Sequence, residues 1–514
     1  MLCTIVCILF LALLLALYVC YKVQFSYWSR RNIIPSVPGK IFSGNLIEFL
    51  TFKTNFAYHL KTIYDDPQFI DVPVVGVYDL FKPSLFIRDP ELIKSVLVRD
   101  FESFPNRFPE MDLNHDPIGA RSMFFTKYSI WKKMRTKLNP LFTSAKLKNM
   151  YYLIQNVCKN MEHHLDQQAY VYRVEMKDFC ARYTTDIIAT TLLGFQSNSL
   201  ENPAEELNKE VRKLADYNWR LAFDYMIIIY FPKLAKFFGS RVLYPQTELF
   251  FRSCVPRAIA EREHSDKCRF DLIDMLVKLK REAISLGENM KDFMYCLIAQ
   301  AMVMTVAGFE TSSTTMANAL LELAKQPDLQ KRLKDEIRTA FSRADQFKIP
   351  YEDLNKLEYM DMVVSETLRL YPVLPVLQRI CQRPPGKAES YSLKPYCEFS
   401  IPDGMPVYIS MYGLHYDPKY WTNPTTFDPE RFSAENKQSL NPGIYLPFGM
   451  GPHNCIGVRL GLLQVKCGLL HLLRNHHVRV CEATLLKPEF EAKSILLQLK
   501  GGVYLEIVKD CLSA

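Results

Sequence analysis

The sequence predicts a mainly α-helical protein with small peripheral β-sheets, carried on one N-terminal transmembrane helix. Three observations predict this: an uncharged apolar run at the very start, helical periodicity through most of the remaining chain, and few short β-like runs. The chain has 514 residues, 49% hydrophobic and 23% charged, which fits a globular body with a large core. Its 33 Phe and 28 Tyr suit a chain that encloses something large and flat, and equally any big core. A net charge of +8 is mild for this length. It argues against a nucleic-acid binder and favours contact with an anionic membrane face or an acidic partner. The 14 cysteines are scattered, with no Cys-x-x-Cys pair, so a secreted disulfide framework is excluded in favour of free thiols in a reducing compartment.

The first charged residue is Lys22. The run before it is about twenty residues long, enough to cross about 30 Å of hydrocarbon as a helix. It has no positive start and no small-residue cleavage site, so it reads as an anchor rather than a removed leader. Tyr27 and Trp28 would form an interfacial aromatic belt, and Arg30 and Arg31 place the rest of the chain in the cytosol. Residues 1–22 are therefore assigned to the anchor. Residues 23–45, basic and then rich in Pro35, Pro38 and Gly39, read as a semi-rigid linker. Residues 46–514 read as one continuous body.

In that body, periodicity predicts helices at Ser129–Leu138, Leu147–His164, Asp178–Leu193, Gln246–His264, Ile273–Glu282, Lys291–Gln326, Asp328–Phe341, Asp361–Leu370 and Arg459–Asn475. Strands are expected at Val72–Tyr78, Ser84–Arg88 and Tyr408–Ser410, and at Ile495–Leu499 paired with Gly502–Ile507 across Gly501. The Lys291–Gln326 helix is apolar nearly all round, so it should be buried. Gly308, Glu310, Thr311, Ser312 and Ser313 soften its centre, which points to a functional break. A buried Glu310 needs a partner or a task, and Thr311 could equally back-bond its own helix.

Cys455 stands out among the cysteines by its surroundings. Gly449, Gly451 and Pro452 precede it, and helical periodicity begins at Val458. A thiol at such a loop-to-helix junction faces free N–H groups and a positive dipole end, which favour the metal-binding thiolate. The glycines would let backbone lie close to a flat ligand, and His453 could turn a polar edge to its carboxylate. Alone, this is also what a small buried thiol beside a turn looks like. Glu366 and Arg369 share a helix face in SETLRL, and Arg431 in FDPERF, Trp131 and Arg135 in WKKMR, and AGFETS at Ala307–Ser312 accompany them.

Together these segments resemble the cytochrome P-450 family, from the anchor to the C-terminus. Phe448, Gly451, Cys455 and Gly457 fit its F-x-x-G-x-R-x-C-x-G signature, AGFETS its distal-helix motif, and SETLR and DPERF two further elements. WKKMRTKLNPLFTSAKLKNM and AGFETSSTTMANALLELAKQPDLQ are similar to insect microsomal enzymes of family six. The resemblance implies the cytochrome P-450 fold and haem b held by the Cys455 thiolate, which favours O–O cleavage. It implies a buried charge triad of Glu366, Arg369 and Arg431. It also implies propionate contacts from Trp131, Arg135, Arg379 and His453, and proton relay by Thr311 and Glu310, with Ala307 and Gly308 leaving room for oxygen. His453 replaces the usual Arg of the signature, which makes its contact weaker and pH-dependent.

The expected activity is that of a monooxygenase inserting one atom of O₂ into a lipophilic xenobiotic or an endogenous lipid or hormone. NADPH-derived electrons would come through an NADPH–cytochrome reductase, with cytochrome b5 as a further candidate partner. The location would be the endoplasmic reticulum membrane, catalytic body to the cytosol. A haem-thiolate isomerase or dehydratase would lack the Glu310–Thr311 pair, and a non-catalytic haem or lipid binder would have a broken cysteine loop. Both features are intact. Lys132, Lys133, Lys137, Lys146 and Lys148 form a basic cluster suited to an acidic reductase, or a merely solvated face. Arg107–Phe125, Trp219–Phe231 and Val373–Leu377 are expected to line or cap the pocket by analogy with the family. The Trp219–Phe231 run is apolar enough to dip into a membrane surface.

Overall fold

Apolar β-branched and aromatic runs form the sheets, and longer amphipathic runs form helices around one buried helix. The computed structural model describes residues 2–510 except 41–42, 216–217, 266–267, 344–348, 384–385, 387–389 and 488. Its strands are β1 (Val74–Asp79), β2 (Lys82–Ile87), β3 (Val171–Glu175), β4 (Val376–Ile380), β5 (Ser390–Ser392), β6 (Ser400–Pro402), β7 (Pro406–Ser410), β8 (His476–Val480) and β9 (Tyr504–Lys509). Two compact units divide the chain. One comprises Met1–Phe108, Leu374–Thr422 and Asn441–Asn454, and the other Pro109–Val373, Asn423–Leu440 and Cys455–Ala514.

The first unit begins with helix α1 (Leu2–Gln24) and the short helix α2 (Tyr27–Arg31). Its main sheet has the order β1-β2-β7-β4, with β2 and β7 parallel and the other neighbours antiparallel. Every residue of β1 and β7 is buried, as the Val, Ile and Tyr content of both strands requires. Trp28 is not interfacial as expected: it is 1% exposed. Its indole lies against Gly76, where a Cβ would come within 2.6 Å of the ring, and Nε1–H donates to the Val77 carbonyl at 3.0 Å. Burying such a ring stabilises by about 4–6 kcal/mol at ~25 cal/mol per Å². The expected spacer also packs: Val37 N–H bonds the Gly76 carbonyl and Gly76 N–H the Pro35 carbonyl.

In the second unit the Met290–Lys325 helix runs 36 residues, about 54 Å at 1.5 Å per residue. It is long and apolar enough to cross a membrane, but more than half of its most apolar window, 56%, is buried inside the protein, so its apolarity serves the core. Met176–Ile188 and Val458–Asn475 pack against it. Predicted helix boundaries agree with the observed ones to within a few residues, for example Ser144–Gln167 and Glu358–Leu370. The second sheet, β3-β9-β8, is antiparallel. The expected pairing of Ile495–Leu499 with Gly502–Ile507 is not formed. Leu499 makes only an isolated bridge to Phe490, Leu497 N–H bonds the Val373 carbonyl, and β9 pairs with β3 and β8 instead. Gly501 and Gly502 both stand at positive φ, so the chain turns there, but the strand that follows takes its partners from β3 and β8.

Candidate active site

In the second unit Cys455 lies exposed, three residues before the Val458–Asn475 helix. Gly457 takes the capping position with no side chain to satisfy the first-turn N–H groups, so those groups and the helix dipole bear on the cysteine segment. A Cβ on Gly457 would meet nothing closer than Phe142 at 4.0 Å. The protein itself therefore leaves that face open. Arg135, on the Tyr128–Leu138 helix, is half-buried; burial lowers its pKa and the Cys455 sulfur opposes that. Trp131, one turn earlier, is buried and stacks on Tyr128 at 5.8 Å.

The long helix presents two different faces at its soft centre. Ala307 is exposed and Thr311, one turn on, is half-buried, with Thr311 Oγ1–H donating to the Ala307 carbonyl at 2.7 Å. Glu310 turns elsewhere and is 3% exposed. Lys177 Nζ lies 2.9 Å from its carboxylate, and the Gln498 side-chain amide donates to it. These groups border a cavity of about 190 Å³ that Thr314 and Asn318 also line. Gly308 lies against the Met176–Ile188 helix. A Cβ there would stand 2.5 Å from Ile188 Cδ1, so the glycine allows close packing of two helices. Gln464, from the cysteine helix, donates to the Gly308 carbonyl at 2.9 Å and to Ser312 Oγ at 2.6 Å. Sequence reading missed Lys177, Gln464 and Gln498, because nothing local marks a partner more than a hundred residues away.

Glu366, Arg369 and Arg431 are brought together in the same unit. Arg369 grips the Glu366 carboxylate through Nε at 2.7 Å and Nη2 at 2.8 Å, and Arg431 Nε approaches it at 3.3 Å. Glu366 and Arg369 are fully buried. Burial raises the Glu366 pKa, with Arg369 opposing. Arg369 also donates to the Pro424 and Thr426 carbonyls at 2.8 and 3.2 Å, and Arg431 to the Asn423 carbonyl at 3.0 Å. In the basic cluster, Lys137 pairs with Glu282 and Lys148 with Glu352, while Lys132 and Lys133 are exposed.

The first unit holds the other predicted positions. Phe448 is half-buried, and Gly449 and Gly451 have φ of +68° and +73°. A Cβ on Gly451 would fall 1.9 Å from the Leu97 carbonyl oxygen, so only glycine fits. His453 is buried, with Nε2–H donating to the Pro105 carbonyl at 2.7 Å and its ring edge-on to Phe101. Arg379, on β4, is 2% exposed and makes no ion pair among the described residues. Its Nε has no hydrogen-bond partner, and burial together with the like charge of Arg107 pushes its pKa down to about 9. A guanidinium kept from water with no counter-anion is costly, and its fork suits a carboxylate supplied by a ligand.

Residues 35–506 match the family model described as Cytochrome P450. The chain belongs to the cytochrome P450 family. It is 41% identical to the probable cytochrome P450 6v1 of Drosophila melanogaster, over 97% of this chain and 98% of that protein. It is 39% identical to the probable cytochrome P450 6g2 of the same organism, over 95% of each. Cytochrome P450 6k1 of Blattella germanica is 36% identical, over 97% of this chain and 96% of that protein. Family membership makes the chain a P450 monooxygenase, with haem held through a thiolate, and the insect family-six likeness read from the sequence holds. Within the second unit the exposed thiol of Cys455 and the open face at Gly457 suit such a group, and within the first unit the buried Arg379 suits an anion.

Proposed function

We propose that Cys455 supplies the thiolate to haem b, and that the chain inserts one oxygen atom from O₂ into a lipophilic small molecule, a xenobiotic or an endogenous lipid or hormone. The haem, when bound, supplies the O₂ chemistry. Arg379 carries the reading: a buried guanidinium without an anion is explained by a propionate, with Arg135, Trp131 and His453 as further holders. Gly457 keeps its face of the chain open for a flat ligand, Gly451 lets the preceding loop pack on Leu97, and the Glu366–Arg369–Arg431 set holds its own segment of the second unit rigid. Thr311 positions its hydroxyl on the open face beside Ala307, and Glu310, whose carboxylate here faces Lys177 in the polar cavity, joins that proton relay after its side chain swings toward Thr311. Electrons come from NADPH through a partner reductase, docked near Lys132 and Lys133, with cytochrome b5 as a second donor. Residues 1–22, the stretch to which most of α1 belongs, anchor the chain in the endoplasmic reticulum membrane.

Cys455→Ser is the direct test. The reduced carbonyl complex of the parent should show the thiolate-type spectrum, and the variant should lose it while retaining the parent's helical content. An unchanged spectrum would refute the ligand assignment. Turnover screening of the purified enzyme with a reductase across lipophilic compounds tests the substrate class; turnover confined to charged, water-soluble compounds would reject it.

A further inference from the structure

Two helices of the second unit, Ser144–Gln167 and Val458–Asn475, pack side by side and carry matching pairs of residues. Cys158 and Glu162 stand one turn apart on the first, Cys467 and His471 one turn apart on the second. The packing sets each pair against the other. His471 Nδ1 lies 2.9 Å from the Glu162 carboxylate, and Arg474 Nη1 lies 3.6 Å from the same oxygen. One turn along, the Cys158 and Cys467 thiols hydrogen-bond each other. Cys158 is fully buried and Cys467 is 1% exposed. On its other side Cys158 Sγ lies 3.4 Å from the Tyr183 hydroxyl. The single proton of that hydroxyl can serve the Gln464 carbonyl at 3.1 Å or the Cys158 sulfur. The Tyr151 hydroxyl faces Cys467 in turn.

A buried thiol ordinarily resists ionisation, and burial pushes those of Cys180, Cys254 and Cys381 up. Burial acts on Cys158 as well. There the Cys467 thiol, the charge of His471 and the Tyr183 hydroxyl outweigh it and hold the Cys158 thiol below its usual range. Cys467 moves the opposite way, through burial and through its bond to Cys158. The two sulfurs are therefore unequal: one ionises and the other donates to it. That is the division of labour between an attacking thiol and a resolving one.

We propose that Cys158 and Cys467 form an oxidisable pair, which hydrogen peroxide closes into a disulfide joining the two helices and which a small dithiol reopens. Peroxide is uncharged and close to water in size, so local opening of the core admits it. An oxygenase itself releases peroxide whenever reduced oxygen escapes without product. The Cys158 thiolate attacks one peroxide oxygen; an S–O bond forms, the O–O bond breaks, and the departing hydroxide leaves as water. Cys467, losing its proton, then attacks the sulfenic sulfur; the S–S bond forms, the S–O bond breaks, and a second water leaves. Two thiols are oxidised by two electrons, one peroxide is reduced to two waters, and the two thiol protons end in those waters. A dithiol returns both electrons and both protons and departs as its own disulfide.

The test uses the full-length holoenzyme, reduced with a small dithiol, desalted and exposed to hydrogen peroxide without NADPH. Remaining thiols are blocked with N-ethylmaleimide during denaturation, and unreduced peptides are mapped by mass spectrometry. The Cys158 and Cys467 peptides should appear joined, two hydrogens lighter than their sum, at a dose that leaves the equally buried Cys180 a thiol. Renewed dithiol should separate them. Cys467→Ser should halt the reaction at the Cys158 sulfenic acid, captured by dimedone, and Cys158→Ser should leave Cys467 a thiol. Cys158 and Cys467 both remaining thiols after the exposed Cys268 is oxidised would overturn the proposal. So would the joining of either one to a different cysteine, or oxidation of Cys158 beyond the sulfenic acid with no joined peptide. The parent chain alone distinguishes these outcomes, so a serine variant that fails to fold leaves the decision intact.

Discussion

Replacing Arg369 with methionine should nearly unfold the second unit at neutral pH, and the structure allows the magnitude to be worked out. Arg369 makes two charge-assisted bonds to Glu366 and two to backbone carbonyls, all in a site with no exposure. Stranding a buried partner costs about 3–5 kcal/mol. Glu366 limits that term by taking up a proton, which from an ordinary carboxyl pKa costs about 3.7 kcal/mol at pH 7. The two carbonyls left behind add about 1 kcal/mol each. The sum, about 6 kcal/mol, rivals the whole stability of a typical fold, about 5–15 kcal/mol. Burial already holds the Glu366 carboxyl above its usual range, and losing Arg369 raises it further. A carboxyl whose folded pKa exceeds its unfolded value stabilises the fold at low pH and loses that contribution as pH rises through the folded pKa. The deficit of Arg369→Met relative to the parent should therefore narrow as pH falls from 7 toward 5. Urea midpoints by circular dichroism across that range measure it, with Glu366→Leu/Arg369→Met as the second arm, expected to be more stable than the single variant. A deficit under about 1 kcal/mol, or one independent of pH, would refute the reasoning.

Arg379→Leu should raise the thermal stability of the haem-free protein, by removing an uncompensated buried charge, and should speed haem loss to an acceptor protein. Slower haem loss would contradict the anion-holding role. Gly451→Ala puts a Cβ 1.9 Å from a backbone oxygen at a φ that side chains rarely adopt, so it should cost about 3 kcal/mol or more; a thermal midpoint within a degree of the parent's would show that the loop yields freely. Thr311→Ala should divert NADPH consumption from product to peroxide. If each NADPH still yields product, Thr311 does not handle the proton.

The long amphipathic helices were legible because their 3.6-residue pattern is a local property, and the Met290–Lys325 helix could be read as buried because it is apolar all round. The edge strands were not. Val171–Glu175 and His476–Val480 are partly exposed and carry Arg, Glu and His, so pairing with β9, not their own composition, makes them strands. Trp28 looked interfacial because its neighbours are basic, yet a bare glycine on β1, 48 residues on, creates its socket. In the site, the glycines and Cys455 declared themselves by spacing. The turning of Glu310 toward Lys177, and of Gln464 toward Gly308, depends on which helix faces lie opposite one another, and a single chain pattern does not carry that information.

The cysteine helix and the long helix cross where Gly468 meets Met316 and Tyr183. A Cβ on Gly468 would stand 2.7 Å from the Tyr183 ring, and that ring cannot slide, because its hydroxyl donates to the Gln464 carbonyl at 3.1 Å. With Gly308 against Ile188, these crossings work like fixed spacers between three rods. Rods so spaced cannot be re-set by single substitutions, so divergence among descendants of this chain has to proceed through its loops. Variation mapped along lineages should pool there and leave the crossings bare. A directed-evolution library would do well to follow the same division.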